Sequence, residues 1–240
     1  MKFVLLSVLF AVINVETLAS ANLLGPVKFS QYAVIHQLFE MMRNLIRNGS
    51  DEKSVPVLDP YENDIKATIE EKHFRLHINM TDSRFTGLSD FYVIKSDFDE
   101  TEVSIDTKII FPLLRIISGN YNMEGDIWTA IPLEGRGKFD LQVHHLTVLG
   151  KIFLKPSEDG KSILVDRVEN PKFFIEKIAS TTQLDDNFDD IFNAMIGDLL
   201  AGYINRFNGY FASIYTQPSM DLLNPVLDKF DTWQILATIL

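Results

Sequence analysis

The chain of 240 residues contains no cysteine. Structural disulfides, thiolate nucleophiles and thiolate metal sites are therefore excluded, and the stability of the fold must come from its apolar core. Basic residues are also scarce, because 22 lysines and arginines stand against 33 aspartates and glutamates, which sets the formal net charge at -11. Nucleic-acid phosphates and anionic lipid head groups repel such a chain, so we expect no nucleic-acid partner and no constitutive membrane-surface binding.

Long apolar runs are missing after the N-terminus. There, Lys2 precedes an apolar run over residues 3–13 and the small-residue stretch Ala19-Ser20-Ala21, an arrangement typical of a secretory signal peptide. The run is too short to cross a bilayer, so a signal anchor is the weaker alternative. The sequence predicts a signal peptide over residues 1–21, a single secreted domain over residues 22–240 and no stable membrane insertion.

Two segments have helical periodicity. Apolar residues recur three and four positions apart over residues 30–47, which predicts an N-terminal amphipathic helix. A longer apolar stripe over residues 188–211 predicts a long helix near the C-terminus. A break at Pro218 separates it from a shorter predicted helix over residues 219–230. The polar, outward face of the long helix is expected to hold Asn193, Asp198, Asn205 and Arg206.

Between residues 64 and 178 the apolar period changes to two, which is typical of antiparallel strands with one wet face. Turn sequences such as Glu134-Gly135-Arg136-Gly137 separate these strands. The predicted fold is α+β, with a long antiparallel sheet between the N-terminal amphipathic helix and the long C-terminal helix. A sheet around a phenylalanine-rich helix can enclose an apolar channel or a solid core, and composition does not decide between them.

Several short motifs occur in a characteristic order. They are Val55-Pro56-Val57-Leu58-Asp59-Pro60, Gly87-Leu88-Ser89, Gly119-Asn120-Tyr121 followed by Gly125, Pro132-Leu133-Glu134-Gly135-Arg136-Gly137, and Leu184-Asp185-Asp186-Asn187-Phe188. In order and spacing they resemble the takeout and haemolymph juvenile-hormone-binding family of insect secreted proteins. The resemblance implies a highly curved antiparallel sheet wrapped around a long C-terminal helix. It also implies an elongated hydrophobic tunnel that holds a terpenoid, a fatty acid or a similar lipid.

One feature departs from the family pattern. Many takeout-like proteins carry a cysteine pair in the N-terminal arm, whereas this chain has none and carries an amphipathic helix there. In this it resembles the cysteine-free family members and the mite group 7 allergens. A generic hydrophobic ligand is therefore a safer expectation than juvenile hormone itself.

The resemblance implies a secreted carrier of a small hydrophobic ligand. The sequence contains no Gly-x-Ser-x-Gly and no His-Glu-x-x-His motif, so we expect no catalytic residue, no cofactor and no bound metal. The alternatives are a secreted interaction or lipid-recognition module, which docks an unknown receptor through an exposed segment at residues 233–240, and, least favoured, an extracellular esterase. The residues expected to line the tunnel are Phe111, Tyr121, Met123, Ile127, Phe139, Leu141, Phe192, Met195, Leu199 and Phe207.

Polar groupings elsewhere have ordinary structural interpretations. His73 and His77 flank Arg75, whose charge would repel a metal cation between them. Asp140 occupies the position at which the dinucleotide fingerprint needs its last glycine, so the glycine-rich run before it is a turn. The acidic residues at 185–190 match the positive end of a helix dipole better than a calcium site.

Two acceptor sequences for N-glycosylation accompany the secretory signal. They are Asn48-Gly49-Ser50 and Asn79-Met80-Thr81, which predict glycans on Asn48 and Asn79. Asn79 alternates in phase with His77 and Arg75 on the polar face of its strand. We therefore expect Asn79 to face solvent.

Overall fold

The structure, a computed structural model, describes residues 26–71, 74–127, 129–183 and 189–240. The signal peptide predicted for residues 1–21, the ring of His73 and the motif at residues 184–188 lie outside these ranges. Among the described helices, none is both long enough and apolar enough to cross a membrane.

The first helix, α1 (Pro26–Asn48), carries one apolar face. Ile35, Phe39 and Ile46 are buried in the main core, because residues four and seven or eight positions apart lie on the same side of a helix. Gly49 follows the last residue of the helix, and its φ of 61° is left-handed. The Gly49 N–H donates to the carbonyl of Leu45 at 2.8 Å, a cap that glycine permits without strain.

Six strands form one curved antiparallel sheet. The order across the sheet is β1-β2-β4-β5-β6, and β3 pairs with a separate stretch of β4. Register shifts occur in four of the strand pairs, and such bulges increase the local bend and twist of a strand. The strands are β1 (Tyr61–Glu71), β2 (Phe74–Thr86), β3 (Tyr92–Asp99), β4 (Ser104–Ile127), β5 (Ile131–Pro156) and β6 (Ile163–Ser180).

The buried apolar residues fall into two clusters. The main core joins α1, β3 and the β3-side halves of β4 and β5, and Leu88, Phe91 and Phe111 are fully buried in it. A smaller cluster near the far end of β4 contains Met80, Tyr121 and Met123. The sheet therefore has two separately packed regions, and the main core adjoins the candidate site described below.

After β6 the chain forms a nearly continuous helical segment over residues 189–227, which we call the C-terminal helical segment. The predicted break at Pro218 is wrong, because the last helix of this segment runs through Pro218 and Pro225. This helix packs along β6, which holds it against the sheet despite the two prolines. The segment comprises α2 (Asp189–Met195), a π-helical turn (Ile196–Leu200), α3 (Ala201–Arg206) and α4 (Asn208–Leu227).

The chain ends in a short helix, α5 (Trp233–Leu236), and a 3₁₀ turn (Ala237–Ile239). Leu236 and Ile239 are buried in the main core beside α1. The sequence predicted an exposed docking segment at residues 233–240. This is wrong for Leu236 and Ile239, which are buried. Their apolar surface is already removed from water within the domain.

Candidate functional site

An apolar cavity of about 430 Å³ lies between α1, the adjoining end of the sheet and the last turns of α4. Its volume falls in the range of sites that hold small molecules. Three parts of the chain supply its apolar lining. These residues are Leu38, Phe39, Met41, Met42 and Leu45 from α1, Ile105, Ile152, Leu154, Ile163 and Val165 from the strands, and Leu223, Leu227 and Phe230 from the C-terminal region.

Burial distinguishes the floor of the cavity from its mouth. Phe39, Ile105 and Val165 are buried and form part of the floor. Asn44 and Asn48 are exposed and line the mouth. The cavity therefore opens to solvent along the exposed side of α1 and deepens toward the sheet.

The cavity has polar groups but no net charge of its own. Within the part of the chain that the structure describes, no lining residue is an aspartate, glutamate, lysine, arginine or histidine. The polar lining residues are Asn44, Asn48, Ser50 and Thr232. The Thr232 hydroxyl accepts a hydrogen bond from the Ile163 N–H at 3.0 Å and so joins the chain after α4 to the first residue of β6.

A smaller void of about 30 Å³ lies farther along α4. Ile152, Val165 and Leu223 line both spaces. The smaller void extends beneath Ser219 and Met220 and has room for about one water molecule. The gap in packing between α4 and the sheet thus continues beyond the larger cavity.

Three asparagines attach the C-terminal helical segment to β6 and to the residues just after it. Each carboxamide accepts from a backbone N–H and donates to the carbonyl of the same residue. The distances are 2.9 and 2.9 Å for Asn193 with Thr182, 2.8 and 2.7 Å for Asn205 with Ile175, and 2.9 and 2.9 Å for Asn224 with Val165. They satisfy groups that an edge strand would otherwise leave unpaired.

This attachment corrects the predicted orientation of the long helix. Asn193 and Asn205 face the sheet edge instead of solvent, because their amides match the unpaired backbone groups of the edge. Apolar residues on the neighbouring face, including Ile196, Leu200 and Ile204, pack against the main core. A further row of apolar residues is left outside and forms what we call the exposed stripe, which consists of Ile191, Met195, Leu199, Tyr203, Phe207 and Tyr210.

The predicted lining residues of the helix lie at this stripe or next to it. Met195 is 55% exposed, Leu199 61% and Phe207 42%. Phe192 is half-buried. The sequence identified an apolar surface at these positions, but the described structure does not enclose it.

The predicted lining residues of the sheet are divided between the two cores. Phe111 is fully buried with its ring centroid 6.0 Å from that of Phe91, and Leu141 packs against the same core. Tyr121, Met123 and Phe139 belong to the smaller cluster, and the side chain of Ile127 lies outside the described residues. None of the nine predicted lining residues whose side chains are described lines the 430 Å³ cavity, so their tunnel stays a prediction.

Sequence reasoning missed the apolar cavity between α1, the sheet and α4. Leu38, Met42 and Leu45 belong to an amphipathic pattern, and such a pattern is ordinarily satisfied by solid packing. Leu223 and Leu227 fall in the region where the sequence predicted only a short helix. The spacing of these residues shows which side of each helix is apolar but does not show whether facing side chains meet.

The glycine-rich motif lies at the start of β5, where Gly137 pairs with Tyr121 of β4. The Tyr121 hydroxyl donates to the carbonyl of Gln183, while the Gln183 side-chain oxygen accepts from the Lys138 N–H at 3.0 Å. Gly137 has a φ of 132°, and a Cβ there would lie 2.9 Å from that side-chain oxygen. Burial, aided by the carboxylate of Asp189, raises the pKa of Tyr121 to about 12.

The predicted glycosylation residues occupy different surfaces. Asn79 is exposed on β2, in phase with Arg75 and His77 as the alternation predicted. Asn48 is the last residue of α1 and lines the mouth of the cavity. Glycosylation at either residue stays a prediction.

No group of three or more histidines, aspartates or glutamates with metal-binding proximity occurs in the described ranges. The acidic residues Asp189 and Asp190 form the first turn of α2. The apolar cavity offers space for a small molecule and has hydrogen-bonding groups at its edge.

The structure is thus an α+β protein with an apolar cavity that opens to solvent beside α1. The chain belongs to the haemolymph juvenile hormone binding protein family, whose model matches residues 5–237. This family is one of ligand-binding proteins, and the takeout resemblance seen in the sequence motifs agrees with it.

Solved structures also show similarity. One is the crystal structure of takeout 1 from Epiphyas postvittana, with 12% identity over 91% of this chain and 90% of that chain and a TM-score of 0.47. Another is the crystal structure of lipopolysaccharide binding protein, with 12% identity over 83% of this chain but 40% of that chain and a TM-score of 0.37. Neither similarity is high enough to transfer a site. No curated protein matches the chain.

Proposed function

We propose that this protein is a secreted carrier that binds a small, uncharged hydrophobic molecule in the apolar cavity. The observation that carries the proposal is a cavity of about 430 Å³ whose described lining includes no charged side chain. Burial of about 300 Å² of apolar ligand surface would contribute roughly 7 kcal/mol before the costs of association are subtracted. Membership of a ligand-binding family supports the same role.

The lining favours a neutral ligand over an ionised fatty acid. A carboxylate placed among Phe39, Ile105 and Leu227 would lose its hydration without gaining a cationic partner, and such burial is costly. An ester, alcohol or ketone could instead place its oxygen near Asn44, Ser50 or Thr232. The ligand that the cavity favours is an apolar molecule with a small neutral polar group, which includes many terpenoids.

Binding requires no reaction at this site. The described lining lacks titratable side chains that could act as a general base beside a nucleophile. The proposal therefore assigns the protein storage or transport of the ligand, with no chemical step and no cofactor.

The proposal includes secretion as one domain over residues 22–240. The support is the sequence pattern of Lys2, the apolar run over residues 3–13 and the small residues up to Ala21, which is typical of a signal peptide. N-terminal sequencing of the protein from insect-cell medium should begin near Asn22. An intact Met1 on a product retained in the cytosol would contradict secretion.

The proposal also extends to an elongated tunnel along the C-terminal helical segment. The support is the exposed stripe, since an exposed apolar patch is typical of a surface that another molecule covers. Met195→Trp provides a reporter at a position that is 55% exposed. Its emission should shift to shorter wavelength when ligand is added; an unchanged spectrum during saturable binding would restrict the site to the cavity.

The function can be tested with ligands that differ only in charge. Mass spectrometry of an organic extract of the purified secreted protein should detect a stoichiometric neutral lipid. In parallel, a fluorescent fatty ester should bind saturably at neutral pH, and the corresponding free acid should bind more weakly. An empty extract together with no saturable binding of either probe would contradict the carrier proposal.

The exposed stripe also favours a second candidate function, that of an interaction module. Large exposed apolar patches mark surfaces that contact proteins or lipids. If this candidate is correct, Leu199→Glu should abolish association with a partner while leaving the protein folded. Probe binding to the cavity should be absent from the unmutated protein, which separates this candidate from the carrier.

A further inference from the structure

We propose that an N-linked glycan on Asn48 gates the mouth of the apolar cavity. This inference rests on the proposed carrier function and adds a means of controlling ligand exchange. Asn48 belongs to the acceptor sequence Asn48-Gly49-Ser50. The same residue is exposed, ends α1 and lines the cavity. A modification site and the entrance of the candidate binding site therefore coincide.

The attachment point is held in a defined position. The left-handed Gly49 follows Asn48 immediately, and its N–H is bonded to the Leu45 carbonyl at 2.8 Å. Ser50 then forms reciprocal backbone hydrogen bonds with Val55 at 2.8 and 2.9 Å. Because the backbone is held on both sides of Asn48, the attachment point of the glycan stays beside the cavity.

The exposed side of α1 gives the glycan a surface to cover. Met41, Asn44 and Asn48 recur three and four positions apart, so they lie in one row along the helix. All three line the cavity, and all three are exposed. A glycan that starts at the end of this row and folds back along α1 lies across the opening.

The covalent step is ordinary for a secreted chain. The amide nitrogen Nδ2 of Asn48 forms a bond to C1 of an oligosaccharide that is delivered on a lipid pyrophosphate. The bond between C1 and the pyrophosphate oxygen breaks, the lipid pyrophosphate leaves, and the amide nitrogen loses one proton. The product is an uncharged, strongly hydrated group at the cavity mouth.

The glycan changes the rates at which the ligand enters and leaves the cavity more than it changes the affinity for the ligand. The hydroxyl groups of the glycan would lose their hydration among Phe39, Ile105 and Val165, so the glycan stays outside the apolar floor of the cavity. A cover that contacts the bound and free states equally contributes no differential free energy and leaves the dissociation constant unchanged. It slows entry and exit by the same factor, so the ligand is retained longer during transport.

Asn79 offers a matched control on the same chain. It belongs to the other acceptor sequence and is exposed on β2. It is not among the residues that line the cavity. A glycan at Asn79 should add mass and hydration without affecting ligand exchange.

The test compares secreted wild-type protein, Asn48→Gln and Asn79→Gln from insect cells. Mass spectrometry of glycopeptides should show a glycan at Asn48 in the wild type. Stopped-flow exchange of the fluorescent fatty ester should become severalfold faster in both directions in Asn48→Gln and remain unchanged in Asn79→Gln. Trimming the folded wild-type protein with an endoglycosidase should reproduce the Asn48→Gln rates without any substitution.

The outcomes separate the gate from the carrier. An unmodified Asn48 in the secreted protein overturns the proposal, and so do equal exchange rates before and after trimming. If neither the trimmed nor the untrimmed protein binds the probe saturably, the carrier function itself is overturned and the gate with it. Faster exchange in Asn48→Gln that trimming does not reproduce would assign the effect to the side chain and overturn the glycan's role.

Discussion

Asn205 forms two hydrogen bonds with the backbone of a single residue, Ile175. Its carboxamide oxygen accepts from the Ile175 N–H at 2.8 Å, and its amide nitrogen donates to the Ile175 carbonyl at 2.7 Å. A neighbouring strand would offer the same pair of groups. The C-terminal helical segment thus occupies the edge of the sheet by side-chain mimicry of a strand, and the position of Asn205 determines which helix face meets β6.

Replacing Asn205 with leucine should destabilise the protein by about 1–3 kcal/mol, because the N–H and carbonyl of Ile175 lose their partners in a place that water reaches poorly. Urea unfolding followed by circular dichroism measures the change. Asn122→Leu is the control, since Asn122 is exposed and its amide donates to a neighbouring glutamate, Glu124. Equal effects of the two substitutions would contradict a special role for Asn205.

Tyr121→Phe should change how stability depends on alkaline pH. The pKa of Tyr121 is about 12 in the folded protein, against about 10 in an unfolded chain. The unfolded chain therefore loses this proton first as pH rises, so the stability contributed by the protonated tyrosine is complete below about pH 10 and is lost by about pH 12. The Tyr121→Phe variant has no such hydroxyl, so its stability should fall less between about pH 10 and pH 12.

The measurement is chemical denaturation at several pH values from 8 upward. Tyr92→Phe serves as the control, because Tyr92 is 46% exposed. At neutral pH, Tyr121→Phe should also lose roughly 1 kcal/mol with the hydrogen bond to the Gln183 carbonyl. Parallel pH curves for wild type and Tyr121→Phe would show that the tyrosine titrates normally.

Gly125→Ala should be destabilising and Gly119→Ala should not. A Cβ at Gly125 would lie 2.1 Å from the carbonyl oxygen of Arg75 on the paired strand, whereas a Cβ at Gly119 would meet nothing within 4 Å. The first substitution forces the strands apart and should cost about 1–3 kcal/mol. The second removes freedom from the unfolded chain and should be neutral or stabilising by up to about 1 kcal/mol. Thermal melts of the two variants check the difference in sign.

Leu227→Trp should reduce probe binding without lowering stability. Leu227 borders the cavity, so the larger ring can occupy space that is already empty. Leu88→Trp is the matched control, since Leu88 is fully buried in the main core and does not line the cavity. Overpacking there should cost about 1–3 kcal/mol.

These two variants are compared by melting temperature and by titration with the fluorescent fatty ester. The expected pattern is weaker binding with an unchanged melting temperature for Leu227→Trp, and a lower melting temperature for Leu88→Trp. A similar loss of stability in both variants would mean that the cavity is closely packed in solution. The carrier proposal would then lose its principal support.

The alternation of residues in β2 was a reliable guide to its two faces. Asn79 and His77 are exposed, while Met80 is buried, as period-two patterning requires. The face of a strand depends on the backbone alone, since successive side chains point to opposite sides. Glycine motifs were informative for a related reason: at Gly125 and Gly137 a side chain would collide with the paired strand or with Gln183.

The C-terminal helical segment shows where such reasoning ends. Apolar residues cover so much of its circumference that two orientations satisfy the pattern: one buries Met195 and Leu199, and the other buries Ile196 and Leu200. Hydrogen bonds from the asparagines to β6 select the second orientation. Nothing local to the helix sequence indicates that a strand edge with unpaired groups would lie beside it.

By itself, the sequence determined the α+β composition, the absence of disulfides, the net negative charge and the family, because each depends on residue types and their spacing along one chain. Tertiary structure alone decided the position of the cavity and the face by which the C-terminal helical segment is attached. Leu38, Ile105 and Leu227 are far apart in the chain, and whether they meet or leave a space of about 430 Å³ depends on how α1, the sheet and α4 pack together. A void is a property of the distances between elements, and no periodicity within one element specifies those distances.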